Sequence, residues 1–191
     1  MTGMIKRGVR IIGIDDGPFE RDRRGQVVVA GAVYRGGADF DGLLVTRVRR
    51  DGFDATEKLC AMLEGSKFLP QLHYAMLDGI ALGGFNVVDV PLLAARTGLK
   101  VVVVVRRRPD LDAVRRALTR TTRHEARLET LKRAGEIRAI GRLHCQLCGL
   151  DVGEAAELLE LTCTRSHLPE PLRAAHLIAG AIVTGQSGRR A

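Results

Sequence analysis

Residues 72–105 read LHYAMLDGIALGGFNVVDVPLLAARTGLKVVVVV, and the order of patterns in this stretch decides the fold class. An apolar run ends at Asp78, and Val87–Arg96 then has apolar residues at helical spacing, with Gly98 where a C-cap is expected. Lys100–Val105 is a continuous apolar run, which is typical of strands buried on both faces of a parallel sheet. The stretch therefore predicts a strand, a helix and a second strand of an α/β domain.

Three further strands are predicted upstream of this unit. Val9–Ile14, Gln26–Tyr34 and Leu43–Val48 are rich in β-branched and apolar residues. The connections between them are too short for a crossover helix, so we expect an antiparallel meander. Asp54 then has the position of an N-cap, with Glu57 three residues later as in a capping box, and this pair opens a helix before the fourth strand.

The chain downstream of this unit is predicted to be mostly helical. Residues 110–133 contain two helical stretches, and Val152–Leu161 and Pro171–Thr184 each carry an apolar stripe at helical spacing. Ile137–Leu147 is predicted to be irregular or a short edge strand.

Neither an internal repeat nor a low-complexity linker divides the chain. We therefore expect one domain over residues 1–191, with its core at about 9–185. Its predicted fold class is α/β, with a ribonuclease H-like mixed sheet in which three antiparallel strands are followed by parallel strands, flanked by helices.

The composition predicts a folded, basic protein. The chain has 191 residues, of which 46% are hydrophobic, and this content excludes an intrinsically disordered chain. Thirty Lys and Arg against 22 Asp and Glu give a formal net charge of +8. A positive surface favours DNA or RNA as a partner, because neutralised phosphates release their counterions. An arginine-rich composition without a function would account for the charge equally well.

The sequence predicts a cytoplasmic protein without membrane segments. The N-terminus is short and polar, and the longest apolar run, Val101–Val105, is far shorter than the ~20 residues of a membrane span. Four cysteines in such a chain are expected to be reduced thiols.

Three of the cysteines raise the question of a zinc site. Cys145, Cys148 and Cys163, together with His167, have spacings found in such sites. An extended segment around residues 143–150 would nevertheless direct Cys145 and Cys148 to opposite faces. Cys163 also follows an apolar helix stripe, where a thiol packs as a small hydrophobic group.

Two aspartates are candidate metal ligands. Asp15 and Asp78 end the first and fourth predicted strands, and the carboxyl ends of parallel strands meet at one edge of a sheet. Two carboxylates there repel each other unless a cation lies between them, and hard oxygen ligands suit Mg²⁺ or Mn²⁺. The alternative is that each aspartate is a turn or cap residue.

Four segments carry a resemblance to a known family. RIIGIDDGPF (10–19), FDATEKLCAML (53–63), the stretch from Met76 to Val105 and LPEPLRAAHLIAG (168–180) resemble endonuclease V. They are more similar still to the domain of unknown function 99 family, which is itself endonuclease V-like. The resemblance extends over roughly Val9–Gly185.

The resemblance implies a catalytic site. Asp15 and Asp78 match metal-binding aspartates, Glu57 matches a second metal-binding glutamate 21 residues before Asp78, and His176 matches a residue near the metal on the last helix. Asp54 or Asp51 is an alternative to Glu57 as the third carboxylate. We thus expect Asp15, Glu57 and Asp78 to bind Mg²⁺ or Mn²⁺, with His176 as an acid/base or outer ligand.

The resemblance also implies contacts with nucleic acid, but one feature of the family is absent from this sequence. Gly79, Asn86 and Arg106 are expected to contact the nucleic acid, and Arg106 stands near the position of a family lysine. The family's Pro-Tyr-rich wedge beside the damaged base has no counterpart between Val48 and Asp54. The expected function is therefore metal-dependent hydrolysis of phosphodiester bonds in DNA or RNA by an endonuclease-like protein, in repair or processing, without a specified base. The alternative is a non-catalytic nucleic-acid-binding protein on the same fold.

Overall fold

The computed structural model describes residues 5–20 and 25–188, which form a seven-stranded mixed sheet, a small hairpin and helices on both faces. The strands of the main sheet are β1 (Arg10–Asp16), β2 (Gln26–Arg35), β3 (Asp39–Arg49), β4 (Leu72–Asp78), β7 (Lys100–Val105), β8 (Arg138–Ile140) and β9 (Leu143–Cys148). The hairpin consists of β5 (Ala81–Leu82) and β6 (Asn86–Val87). The helices are α1 (Ala55–Glu64), α2 (Val90–Thr97), α3 (Leu111–Leu118), α4 (His124–Arg133), α5 (Val152–Thr162) and α6 (Glu170–Thr184), and a 3₁₀ turn spans Leu69–Gln71.

The strand order is β3-β2-β1-β4-β7-β9-β8. The first three strands along the chain pair antiparallel, and β4 lies parallel to both β1 and β7. The predicted arrangement, three antiparallel strands followed by parallel strands, is therefore confirmed.

The far side of the sheet differs from the prediction. The segment predicted to be irregular or a short edge strand forms two strands: β9 pairs antiparallel with β7, and β8 continues the sheet beyond it. The physical reason is the burial of β7, whose central residues Val101–Val104 are almost completely inaccessible. Buried backbone N–H and C=O groups need partners, and β9 supplies them along the second edge of β7.

Side-chain alternation along the strands builds two cores. Ile12 and Ile14 of β1 pack with the apolar residues of α1 and α2, whereas Ile11 packs on the other face with residues of α5 and α6. No helix in the described ranges combines the length and apolarity that crossing a membrane would require.

Helix α2 begins later than the periodicity predicted. Residues 86–87 pair in the β5–β6 hairpin, so the helix starts at Val90 rather than Val87. Asp89 is the N-cap, and its Oδ1 accepts a hydrogen bond from the backbone N–H of Leu92 at 3.2 Å.

One glycine in β1 and one directly after it allow α6 to lie directly on the strand. A Cβ on Gly13 would stand 2.2 Å from the carbonyl carbon of Pro171, and a Cβ on Gly17 would stand 2.8 Å from the carbonyl oxygen of Ala179. Backbone therefore meets backbone along this contact, and no larger residue fits without a shift of the helix.

We expect Gly13→Ala to lower the free energy of unfolding by about 1–3 kcal/mol, because the added methyl group overlaps the rigid backbone of α6. Gly8→Ala is the matched control, since a Cβ on Gly8 would meet no atom within 4 Å. Urea denaturation of both variants measures the difference. Equal stabilities would show that α6 is not seated on β1 as described.

Candidate functional site

Asp15 and Asp78 lie side by side at the carboxyl edge of the sheet. The parallel register pairs Ile14 of β1 with Leu77 of β4, so the next residue of each strand brings the two aspartates to adjacent positions on the same face. The side chains of Asp15 and Asp78 are only 7% and 19% exposed. Two carboxyl groups thus share a poorly hydrated edge, as the sequence predicted.

This environment disfavours a negative charge on Asp78. Burial, and next the negative charge of Asp15, raise the pKa of Asp78 to about 6 from an ordinary value of 3.8. Arg106 and His176 act in the opposite direction and lower the pKa of Asp78, and Arg106 Nη2 lies 3.6 Å from Asp78 Oδ2. A cation bound between the two carboxyl groups would therefore stabilise their ionised forms.

His176 reaches the site from α6. Its Nδ1 is hydrogen-bonded to Asp15 Oδ2 at 2.8 Å, while Asp15 Oδ1 accepts the backbone N–H of Asp16 at 2.8 Å. The contact of Gly13 and Gly17 with α6 sets the height of the helix over β1 and hence the position of the imidazole. Both oxygens of Asp15 are consequently oriented by fixed groups.

Glu57 is not brought to this pair. It lies on α1, and its side chain is 67% exposed and bound to Arg96 Nη1 of α2 at 2.5 Å. Arg96 also pairs with Glu64 at 2.6 Å, so Glu57 belongs to an ion-pair cluster between the two helices. Within the described ranges, no group of three His, Cys, Asp or Glu side chains is arranged to hold a metal ion.

The two alternative third carboxylates, Asp54 and Asp51, have local partners. Asp54 Oδ1 accepts hydrogen bonds from the backbone N–H of Arg49 and from Asn86 Nδ2. Asp51 Oδ1 accepts the backbone N–H of Phe85 at 2.9 Å. These hydrogen bonds fix the turn after β3 to the loop of the β5–β6 hairpin. The oxygens that accept them are therefore used in local structure.

The three residues expected to contact nucleic acid have different surroundings. Arg106 has a half-exposed side chain next to Asp78, and Gly79 follows Asp78 with φ +81° and open space where a Cβ would stand. Asn86 is fully buried, donates to Arg49 O and Asp54 Oδ1, and accepts from Ala55 N. The prediction that Asn86 contacts nucleic acid is therefore corrected. Its side chain is inaccessible, and its amide group forms hydrogen bonds that position the start of α1.

Asp16 is a site-adjacent carboxyl group that the sequence reading did not single out. Strand alternation directs it to the opposite face from Asp15, where its Oδ2 accepts the backbone N–H of Gly83 at 2.9 Å. Burial is the main cause that raises the pKa of Asp16 to about 6. The consecutive aspartates at a strand end were the available signal, since alternation sends one to each face.

Arg127 of α4 is a second unanticipated residue. It is 2% exposed, and its guanidinium donates to the carbonyl oxygens of Asp51, Gly52, Phe85 and Thr122. The guanidinium also stacks on the half-exposed ring of Phe53, 4.0 Å from its centroid. Arg127 thereby joins α4, the turn after β3 and the hairpin loop into one unit. No sequence signal separates this arginine from the many others.

The cysteine spacing does not form a zinc site in this structure. Cys145 packs in the core beneath α5 and α6, whereas Cys148 packs against the core beneath α1 and α2. Cys145 and Cys148 are three positions apart on β9, and strand alternation therefore directs the two thiols to opposite faces of the sheet.

Comparison with known proteins gives the family context. The family model described as endonuclease dU matches residues 7–183. A UPF0215 protein of Methanothermobacter thermautotrophicus is 47% identical over 187 residues, which cover 96% of this chain and 92% of the relative.

Two solved structures show the same fold. A crystal structure of an Archaeoglobus fulgidus protein of unknown function has a TM-score of 0.87 at 40% identity and covers 93% of this chain and 99% of its own. Ciona intestinalis endonuclease V, in complex with inosine-containing DNA, has a TM-score of 0.55 at 13% identity and covers 87% of this chain and 82% of its own. The predicted endonuclease V-like fold is confirmed.

Proposed function

The chain belongs to the endonuclease dU family, and from that premise we propose that it is a divalent-metal-dependent endonuclease that cleaves DNA at deoxyuridine. The observation that carries the proposal is the buried Asp15–Asp78 pair with His176 hydrogen-bonded to Asp15. The family's description favours deoxyuridine as the recognised nucleoside, and the inosine-containing DNA bound to the Ciona protein favours a nucleic-acid substrate.

The donor set fits a hard divalent cation. Mg²⁺ is commonly bound through one or two carboxylates and keeps several waters, so the pair Asp15 and Asp78 is sufficient without Glu57. The raised pKa of Asp78 supports this assignment, because like-charged carboxyl groups held together are stabilised by a cation. When bound there, Mg²⁺ or Mn²⁺ would polarise the scissile phosphate and lower the pKa of an attacking water.

The surrounding residues have distinct parts in this proposal. His176 holds the carboxylate of Asp15 in one orientation, and its imidazole can take up or release a proton there. Arg106, half exposed beside Asp78, neutralises charge on the phosphate that approaches the pair. Gly79 leaves open space at the same edge, so that a backbone phosphate can approach closely.

The proposal is tested by incubating the protein with Mg²⁺ or Mn²⁺ and end-labelled strands that contain deoxyuridine, inosine, ribonucleotides or only ordinary deoxynucleotides. We expect metal-dependent cleavage of the deoxyuridine strand and none in EDTA. Salt-sensitive binding without cleavage of any strand would instead support a nucleic-acid-binding protein without catalysis. The absence of both binding and cleavage would overturn the proposal.

Glu57 provides a discriminating variant. We expect Glu57→Gln to leave metal-dependent cleavage nearly unchanged, because this carboxylate is exposed and paired with Arg96. The stability cost should be roughly 0–1 kcal/mol, as for other exposed ion pairs. Glu64→Gln, which removes the other partner of Arg96, is the matched control. A selective loss of cleavage in Glu57→Gln would restore Glu57 as the third metal ligand.

A further inference from the structure

The turn after β3 lies at the same edge of the sheet as Asp15 and Asp78. β3 runs parallel to β1, because each of them pairs antiparallel with β2, so both strands end at this edge. The backbone N–H of Asp51 donates to Gly83 O at 2.8 Å, and the backbone N–H of Gly83 donates to Asp16 Oδ2. Neighbouring strands are about 4.8 Å apart, so β3 ends roughly 10 Å across the sheet from β1. A nucleic-acid strand at the carboxyl pair is therefore close enough to contact this turn.

Phe53 presents an aromatic ring at this turn, where it is 44% exposed. Among the large hydrophobic residues that are exposed in the described chain, the other aromatic residue is Phe40, near the start of β3 and hence at the opposite edge of the sheet. Aromatic side chains are the surfaces on which proteins stack unpaired nucleobases. The edge that carries the carboxyl pair therefore also carries a ring suited to a nucleobase.

Two guanidinium groups contact this ring. The buried guanidinium of Arg127 lies 4.0 Å from the ring centroid and donates to the carbonyl oxygens of Asp51 and Gly52, so the ring rests on a fixed support. Arg123 is exposed, and its guanidinium lies 4.7 Å from the centroid. A guanidinium plane stacks on bases as an aromatic ring does, and it also binds phosphate. The exposed arginine thus adds a second group that can contact a nucleotide.

The backbone beside the ring has an uncommon conformation. Asp51 and Arg123 have φ of 50° and 53°, and in the described chain they are the two residues other than glycine with positive φ. Backbone in this region persists where the surrounding contacts impose it, and it is concentrated at ligand-binding and catalytic sites. One of the two residues precedes Phe53 by two positions, and the other contacts its ring. The strain therefore surrounds the exposed aromatic group.

A cavity of about 390 Å³ opens beside the ring, and its lining includes Asp51, Phe85, Arg120 and Arg127. The guanidinium of Arg127 borders the cavity and the ring of Phe53 alike. The volume lies within the range of roughly 300–1,000 Å³ that small-ligand sites occupy. A strand with one base on Phe53 therefore has space for a neighbouring nucleotide, next to the exposed Arg120.

The segment that contributes these arginines is strongly basic. Residues 106–133 contain ten Lys and Arg but four Asp and Glu, which is most of the positive excess of the whole chain. The segment begins at Arg106, beside Asp78. Positive charge concentrated there attracts phosphates to the edge that holds the carboxyl pair.

We propose that Phe53, Arg120 and Arg123 form a binding surface for single-stranded nucleic acid, with one unpaired base stacked on Phe53 and backbone phosphates at the two arginines. The bases of a duplex are stacked on one another and offer no free face to the ring, so the surface selects single strands. The inference rests on the proposed function, because the strand bound here is the substrate of the Asp15–Asp78 site.

The test is the binding of one labelled oligodeoxynucleotide, as a single strand and as a duplex with its complement, measured by fluorescence anisotropy in EDTA. We expect the wild type to bind the single strand more tightly. Phe53→Leu should weaken single-strand binding roughly tenfold, because it removes the stacking ring and keeps an apolar side chain. Phe53→Trp, which keeps a ring, should bind as tightly as the wild type. Phe40→Leu is the matched control and should leave binding unchanged.

The salt dependence of binding tests the arginines. Arg123→Gln should reduce the slope of log Kd against log salt by about 0.7, the contribution of one phosphate contact in a single strand. Arg35→Gln removes an exposed arginine at the opposite edge and should leave the slope unchanged. Thermal melts show whether each variant is folded. If Phe53→Leu melts early, the Trp variant and the salt slope decide.

The outcomes separate this inference from the nuclease proposal. Equal affinity for single strand and duplex, no binding of either, or a Phe53→Leu variant that binds like the wild type would overturn the inference, whether or not the protein cleaves DNA in Mg²⁺. Single-strand binding that depends on Phe53, without cleavage of any strand in Mg²⁺ or Mn²⁺, would support the surface and overturn the nuclease proposal.

Discussion

Asp78→Asn is expected to abolish metal-dependent cleavage and, at the same time, to make the metal-free protein more stable at neutral pH. The loss of cleavage should be roughly 100-fold or more, because the substitution removes the charge of one of the two carboxylates of the proposed metal site. The gain in the free energy of unfolding should be on the order of 1–3 kcal/mol, because the raised pKa of Asp78 means that its charge destabilises the fold.

The pH dependence follows from the same pKa. In the unfolded chain Asp78 releases its proton near 3.8, whereas in the folded protein its pKa is about 6. Between these values the folded state holds a proton that the unfolded state has lost, so the stability contributed by Asp78 falls as pH rises from about 4 to about 6. Above that window the loss is complete. The advantage of the asparagine variant should therefore appear as pH rises through the window.

Thermal melts at pH 4 to 8, with and without Mg²⁺, measure both effects. Mg²⁺ should stabilise the wild type and leave Asp78→Asn unchanged, since a ligand stabilises only the folded state that binds it. Asp16, whose pKa is also about 6, keeps its own titration in the variant, so part of the pH dependence should remain. A variant that melts earlier than the wild type, with no effect of Mg²⁺ on either, would identify Asp78 as a turn residue.

Arg127→Ala is expected to lower the free energy of unfolding by about 3 kcal/mol or more. The substitution leaves the carbonyl oxygens of Asp51, Gly52, Phe85 and Thr122 without the donors that now satisfy them, and unsatisfied buried polar groups are costly. It also removes the stack on Phe53.

Two variants separate these contributions. Arg127→Lys keeps a charge but lacks the planar fork, so it should recover only part of the loss. Arg123→Ala removes the exposed arginine that contacts the same ring at 4.7 Å, and it should cost about 1 kcal/mol or less. Urea denaturation gives all three values. A loss for Arg127→Ala no greater than that for Arg123→Ala would show that the buried guanidinium does not hold α4 in place.

The part of the fold that could be predicted is the part set by local pattern. Apolar runs and short connections determine the first three strands, and the strand–helix–strand stretch places Asp15 and Asp78 at one edge. β9 was missed because its mixed sequence, LHCQLC, is strand-like only beside the buried edge of β7. Tertiary pairing decided its structure.

In the candidate site, too, some residues are placed by local sequence pattern and others only by tertiary contacts. The Asp15–Asp78 pair follows from strand geometry, and the position of His176 was implied by family resemblance alone, because α6 is distant in sequence. The surroundings of Glu57 could not be predicted from sequence, because its side chain pairs with Arg96, which belongs to another helix. Asn86 and Arg127 are polar residues typical of surfaces, and only the assembled loops show that each satisfies several buried groups.

The hydrogen bond between Asp15 and His176 joins residues 161 positions apart. β1 is therefore synthesised well before α6, the helix that covers one of its faces and supplies the imidazole. A nascent chain that has not yet reached α6 lacks both this imidazole and the α6 side of the core. Contacts of such long sequence separation also slow folding. The arrangement of Asp15 and His176 can therefore form only after α6 has been synthesised and has packed on β1.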